Sequence, residues 1–121
     1  MMRARPRNTT TGVFVQTWDV RSLDVQPHHP QVLRSDDAAR VIAINLPAGE
    51  LLQQHQVHER AYLIVAEGEI EVEDGGGTVT GGPGFFAHFE PNERHELRAT
   101  ADARILLVLA PWPGEGHPSQ R

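Results

Sequence analysis

The fold of this chain is decided by residues 47–68, which read PAGELLQQHQVHERAYLIVAEG. The stretch opens on a Pro-Ala-Gly turn signal and continues through residues rich in apolar side chains. It ends at Gly68, where a strand can bend or form a bulge. Residues two apart on a strand share a face, so Gln53, His55 and Val57 are expected to point the same way. The stretch therefore predicts a turn followed by strands that carry polar groups toward one side.

Glycine and proline recur at short intervals on both sides of this stretch, and the segments between them have the length and composition of strands. Residues 70–73 and 96–98 alternate between apolar and polar side chains, as half-buried strands do. Residues 40–46, 61–66 and 105–110 are apolar on both faces, so another sheet, an N-terminal segment or a second subunit must cover the second face. Because no stretch sustains a helical period, the sequence predicts an all-β sandwich or barrel.

Composition limits both the domain count and the classes of function. A chain of 121 residues with 39% apolar and 22% charged residues fits one globular domain. The formal charge of -5 argues against a protein that binds the phosphate backbone of a nucleic acid. No run approaches the roughly 20 apolar residues of a membrane span. The chain has no cysteine, so a bound metal must be held by histidine, carboxylate, amide or water.

The two ends of the chain differ in composition from its middle. Residues 1–12 contain three arginines and no apolar stretch of the kind a secretory signal needs, so we expect a flexible arm and a cytoplasmic protein. The domain is expected to span residues 13–112, with residues 13–15 as a first strand and Trp112 packed against the body. Residues 113–121 are rich in proline and glycine and are predicted to form a flexible tail.

Two groups of residues resemble the sequence motifs of the cupin superfamily. The first motif begins at a glycine, carries a His-x-His pair followed by a glutamate and ends at a second glycine. The second motif contains a Pro-x-Gly turn, a histidine and an asparagine. The residues at matching spacings are Gly49, His55 and Gly68 in the first motif and Gly84 and His95 in the second. Asn92 stands where the second motif has its inner glycine, and asparagine tolerates positive φ. The resemblance covers about residues 40–110 and implies a double-stranded β-helix, or jelly-roll barrel, in which His55 and His95 meet.

Several positions of the cupin motifs are changed in ways that bear on metal binding. Val57 replaces the second histidine, and Ala61 or Tyr62, depending on spacing, replaces the glutamate. Neither valine nor alanine can donate an electron pair to a metal ion. Only two of the family's four usual ligands are kept, and a catalytic metal normally has at least three protein ligands.

His58 offers a replacement for the missing ligand. It lies one residue after the lost histidine and would face the site if a turn after Val57 rotated the backbone. One hypothesis is therefore a three-histidine site of His55, His58 and His95 for Fe, Mn, Ni or Zn. The residues that could complete it are Gln53, Glu59 and Tyr62. In the other hypothesis, His55 and His95 are neutral pocket residues that bind a small organic ligand together with Gln53 and Tyr62.

These hypotheses predict different functions for the same barrel. A metal site predicts an enzyme of the dioxygenase or isomerase type, in which the metal acts on an enclosed organic substrate. A metal-free pocket predicts a protein that binds or senses a small molecule without catalysis. The sequence does not choose between enzyme and binding protein and assigns no catalytic residue. A homodimer, formed through N-terminal strands or sheet faces, is compatible with both.

Overall fold

The computed structural model describes residues 15–52 and 57–118, and within these ranges it contains seven strands and no α-helix. Two of the strands, β4 and β7, are about twice as long as any other. The strands are β1 (Gln31–Ser35), β2 (Arg40–Leu46), β3 (Leu51–Leu52), β4 (Arg60–Glu73), β5 (Thr78–Gly81), β6 (Phe86–Phe89) and β7 (Glu96–Ala110).

The long strands β4 and β7 pair antiparallel along nearly their whole length and connect two half-sheets. In the first half-sheet the order is β1, β2, the end of β7, the start of β4, and β6. In the second half-sheet β3 pairs with the start of β7, and β5 pairs with the end of β4. One core cluster takes buried side chains from both half-sheets, so their inner faces pack against each other. This antiparallel double layer confirms the predicted all-β class.

The bend between the half-sheets lies at Gly68. The β4–β7 register shifts three times between Val65 and Ile70, which marks an irregular, bulged stretch. Gly68 has φ +85, and a Cβ at this position would lie 2.6 Å from the Cα of Ala103. Glycine is therefore required both by the backbone conformation and by the close approach of β7. Because the chain bends here without a turn, residues 61–66 and 70–73 form one strand and not two.

Alternation along β4 separates an inner face from an outer face. Ala61, Leu63 and Val65 are buried in the core, whereas Tyr62 is half-buried and Ile64 is 38% exposed. Residues paired across the ladder share a face, so the outer face of this half-sheet continues onto the neighbouring strands. The other apolar residues of this outer face are Val41, Ala43, Phe86, Leu106 and Val108.

An N-terminal segment, residues 15–30, covers part of that outer face. The Asn45 side-chain amide donates to the Val25 carbonyl at 2.8 Å, and Val25 is buried. The Arg104 guanidinium donates to the carbonyl groups of Val20 and Leu23, each at 2.7 Å. The expectation that a second layer covers the two-sided apolar strands is thus met in part by this segment.

The start of the N-terminal segment differs from the sequence prediction. Val15 is exposed and belongs to no strand. The other two residues of the predicted first strand, 13 and 14, lie outside the described part of the chain. Over the described ranges, the structure contains no helix long and apolar enough to cross a lipid bilayer.

Candidate ligand-binding site

His95 lies at the barrel end directly before β7 and is partly buried. Its ring is stacked on the ring of Phe89, with centroids 3.9 Å apart and planes 14° apart. Phe89 is buried and pairs with Ala61 across the β4–β6 ladder, which places it on the inner face. The His95 Nδ1 atom is 3.3 Å from the carbonyl oxygen of Glu93. The histidine of the second motif therefore lies against the inner, aromatic end of β6.

The turn that leads to His95 is held by its backbone. Asn92 has φ +64, which fits its position at the glycine of the cupin motif. Its backbone N–H donates to the Val57 carbonyl at 2.7 Å. The Glu93 carboxylate accepts from the Glu90 backbone N–H at 2.8 Å, which closes the turn. These contacts join the β6–β7 connection to the residues just before β4.

His58 and Glu59 make their contacts with the C-terminal segment, residues 112–117. The His58 ring meets the His117 ring edge-on at a centroid distance of 5.8 Å. The Glu59 side chain is buried, with the residue only 1% exposed, and its carboxylate accepts from the Gly114 backbone N–H at 2.7 Å. A buried carboxylate needs such a donor to offset the loss of its hydration. Glu59 therefore anchors the segment that passes over the start of β4.

Trp112 fixes the beginning of this segment, as the sequence predicts. It packs against the core cluster, and the Arg40 guanidinium carbon lies 4.1 Å from the centre of its ring. The His117 ring contacts the Trp112 ring edge-on, with the two ring centroids 4.7 Å apart. Residues 113–117, which fall within the predicted flexible tail, thus make specific contacts with the domain, and Gly114 among them is buried.

The structure describes two of the four residues predicted to line a pocket, Tyr62 and His95. Gln53 and His55 lie outside the described residues, so their part in the site stays a prediction. Tyr62 lies on the outer face, because the buried Ala61 and Leu63 on either side of it point inward. The centroid of its ring lies 6.3 Å from that of the Phe86 ring, in a stacked arrangement, and 5.0 Å from that of the His88 ring. The structure therefore does not bring Tyr62 to the inner face where Phe89 and His95 stack, since strand alternation directs it away.

The described residues do not by themselves fit a metal centre. Across 15–52 and 57–118, no group of three or more histidine or carboxylate side chains is placed to hold an ion. Val57 and Ala61 supply no ligand atom. The His58 ring lies against His117, in the C-terminal segment. Since His55 is outside these ranges, the three-histidine hypothesis stays a prediction.

A groove of about 570 Å³ opens between the edge strands β5 and β6. Its apolar lining includes core residues from the inner face as well as the exposed Val79. Asp74 and Glu93, both exposed, are the acidic residues of its lining. The remaining lining residues are Val72, Gly76, Gly77, Thr78, Phe85, Phe86, Ala87, His88 and Phe89. The sequence carries a signal for it, since Phe85, Ala87 and Phe89 alternate onto one side of a short strand.

Comparison with known proteins agrees with this architecture. The family model described as "Cupin domain" matches residues 42–110, and no curated protein matches the sequence. A crystal structure of an uncharacterized conserved protein with a double-stranded β-helix domain from Klebsiella pneumoniae is similar at a TM-score of 0.70 and 21% identity. The match covers 84% of this chain and 95% of the other.

Two further solved structures show the same fold at low sequence identity. KdgF from a Halomonas species matches with a TM-score of 0.64 and 20% identity, over 74% of this chain and 85% of that chain. A cupin superfamily protein from Desulfitobacterium hafniense matches with a TM-score of 0.68 and 10% identity, over 75% and 85%. At these identities the likeness concerns the fold. Together with the family match over residues 42–110, it shows that this chain belongs to the cupin superfamily as a small double-stranded β-helix domain.

Proposed function

We propose that this cupin binds a small, largely apolar organic molecule in the groove between β5 and β6. The observation that carries the proposal is the lining of the groove, because it includes the inner-face residues Val72 and Phe89. A ligand there would contact side chains that belong to the hydrophobic core. His95 is not itself among the lining residues, but its polar ring is stacked on the ring of Phe89, which is one of them.

The size and chemistry of the groove support this role. Ligand sites for small molecules usually measure about 300–1,000 Å³ and combine an apolar lining with a few polar groups. The β5–β6 groove, at about 570 Å³, falls within that range and has both components. A second cavity, of about 370 Å³ beside Leu46 and Leu52, is smaller. Cupin barrels in general bind or transform small molecules, so the fold is compatible with the proposal.

The test is a ligand titration followed by amide chemical shifts, with small neutral aromatic compounds such as 2-phenylethanol as probes. We expect saturable shifts at Val72, Phe85 and Phe89. The variant Val79→Ser removes an exposed methyl pair from the groove wall and should weaken binding. Val32→Ser is its matched control, because Val32 is a similarly exposed valine on the distant edge strand β1. Shifts confined to other regions, or equal weakening by both variants, would contradict the proposal.

The second candidate is the metal-dependent one, in which His55, His58 and His95 hold Fe, Mn, Ni or Zn. Its support is the half-buried His95 at the histidine position of the cupin motif. It predicts stoichiometric metal in the purified protein and loss of that metal in a folded His95→Ala variant. Purified protein that contains no metal and takes up none of the four ions would exclude it. The dioxygenase-like or isomerase-like reaction and the cytoplasmic location stay predictions.

We further propose that a second copy of this chain packs on the outer face of β4 and β6. This face presents Tyr62, Ile64 and Phe86, and Ile64 and Phe86 are 38% and 57% exposed. Within residues 15–30, the hydrogen bonds to the central strands go to Asn45 of β2 and Arg104 of β7. A contiguous apolar patch on a sheet is typical of an interface, and a two-fold axis lets one patch cover its own copy.

Light scattering after size-exclusion chromatography tests the dimer. We expect a dimer at micromolar concentration and a monomer for Ile64→Lys. The control Val32→Lys places the same charge on an exposed residue of β1, and we expect it to stay dimeric. A wild-type monomer, or a dimer that Ile64→Lys leaves intact, would contradict the proposed interface.

A further inference from the structure

We infer that the ligand of the β5–β6 groove carries a positive charge beside its apolar part and is therefore a small organic ammonium ion, such as an arylalkylamine. This inference rests on the proposed function, since it names the chemical class that the same groove selects. It is carried by the charged groups around the groove and by its aromatic lining.

Two acidic residues, Asp74 and Glu93, are among those that line the groove, and each carboxylate accepts a hydrogen bond from the backbone. Asp74 Oδ1 accepts a hydrogen bond from the Gly76 backbone N–H at 2.8 Å. Glu93 Oε1 accepts from the Glu90 backbone N–H at 2.8 Å. Both donors are backbone N–H groups, and within residues 15–52 and 57–118 neither carboxylate forms an ion pair. A ligand cation that approaches either carboxylate therefore displaces no cation of the described residues.

The groove offers little to attract an anion. No arginine or lysine is present among the described residues that line it. The one lining residue that can carry a positive charge is His88, and its Nε2 atom lies 3.5 Å from Glu90 Oε2. Glu90 also lies 3.5 Å from the Arg60 guanidinium, so these charges pair with one another on the outer side of β6. Among the described residues, the groove is left with a net negative lining.

The apolar lining favours the same class of ligand. Phe85 and Phe89, which alternate onto one side along β6 and the residue before it, bring two aromatic rings to the lining of the groove. The faces of aromatic rings attract cations, and organic ammonium ions combine this attraction with hydrophobic contact. A carboxylate-bearing ligand would gain the same hydrophobic contact but would meet Asp74 and Glu93 with like charge. The lining therefore discriminates by charge among molecules of the same shape.

The effect on affinity is expected to be modest. Asp74 and Glu93 are exposed, and water and salt screen exposed charges strongly. With contributions typical of exposed ion pairs, the two carboxylates together should favour a cation over a neutral analogue by about three- to tenfold at low salt. The preference should shrink as the salt concentration rises.

The experiment compares three probes of similar shape and different charge at pH 7 by amide chemical-shift titration. They are phenethylammonium, 2-phenylethanol and 3-phenylpropionate. We expect phenethylammonium to bind tightest and 3-phenylpropionate weakest. The variants Asp74→Asn and Glu93→Gln keep an oxygen that accepts the backbone hydrogen bond but remove the charge. Each should reduce the affinity for phenethylammonium by about two- to threefold and change that for 2-phenylethanol by a smaller factor.

Glu115→Gln is the matched control, because it removes one negative charge from an exposed residue of the C-terminal segment. If Glu115→Gln weakens the binding of phenethylammonium as much as Glu93→Gln does, the preference for a cationic ligand comes from the net charge of the whole protein. The inference is then wrong. Equal binding of the three probes, or tightest binding of the alcohol or the acid, also overturns the inference while the proposed function stands. If no probe shifts the groove residues, both fail.

Discussion

Replacing Gly68 by alanine tests the junction on which the barrel depends. Gly68 has φ +85, which costs an L-residue about 1–2 kcal/mol relative to glycine. The new methyl group would also overlap the backbone of Asp102 and lie 2.6 Å from the Ala103 Cα. These are backbone atoms of β7, so relief requires moving the strand and not a side-chain tip. Overpacking of this kind typically adds about 1–3 kcal/mol. The expected loss in the free energy of unfolding is therefore about 3 kcal/mol.

The measurement is equilibrium unfolding in urea, with Gly75→Ala as the matched control. Gly75 has φ +94, and a Cβ there would meet no atom within 4 Å, so its alanine variant carries the backbone cost alone. With an m-value of about 1–2 kcal/mol per molar urea, the Gly68 variant should lose roughly 2 M from its midpoint and the control less than half of that. If both variants lose the same stability, the close approach of β7 to Gly68 does not contribute and the reasoning fails.

Three other substitutions probe the contacts around the barrel end and the N-terminal segment. Glu59→Ala leaves the buried Gly114 N–H without its acceptor and should lower the free energy of unfolding by about 2–3 kcal/mol, whereas Glu59→Gln keeps an acceptor and should cost less. Hydrogen exchange at the Gly114 amide should be faster in the alanine variant, and unchanged exchange would count against Glu59 as the anchor. Asn92→Gly should be close to neutral in urea unfolding and Asn92→Ala destabilising by about 1 kcal/mol, because of the positive φ. Arg104→Met removes the donors that hold the N-terminal segment, so limited proteolysis should cut within residues 15–30 sooner than in the wild type; identical digestion would argue against this attachment.

The buried Glu59 is a residue whose role can be interpreted only from its tertiary contacts. In the sequence it stands beside His58 and can be considered a metal ligand. In the structure its carboxylate accepts from the Gly114 N–H, and the adjacent His58 ring faces His117. Both contacts involve residues more than fifty positions further along the chain. No local pattern in residues 57–60 points to them.

The outer face gives a second example, with Tyr62 as the residue concerned. The sequence places it at the position of a cupin glutamate, which leads to its interpretation as a pocket residue. Because its neighbours Ala61 and Leu63 are buried on the inner face, the Tyr62 side chain points to the outer face. A shift of one position along a strand exchanges its faces, so spacing that is uncertain by one residue cannot determine which way a side chain points.

Local chemistry was enough to predict the all-β class, β2 at residues 40–46 and the bend at Gly68, because turn residues and strand periodicity act between neighbours in the chain. The positive φ of Asn92 was implied by the resemblance to the second cupin motif, in which a glycine stands at this position. The groove between β5 and β6, the attachment of residues 112–117 to Glu59 and the cover that residues 15–30 give to β2 and β7 came only from the tertiary structure. Each joins segments distant along the polypeptide. Which surfaces meet depends on how far the β4–β7 ladder bends over itself, and that is a property of the packed core as a whole.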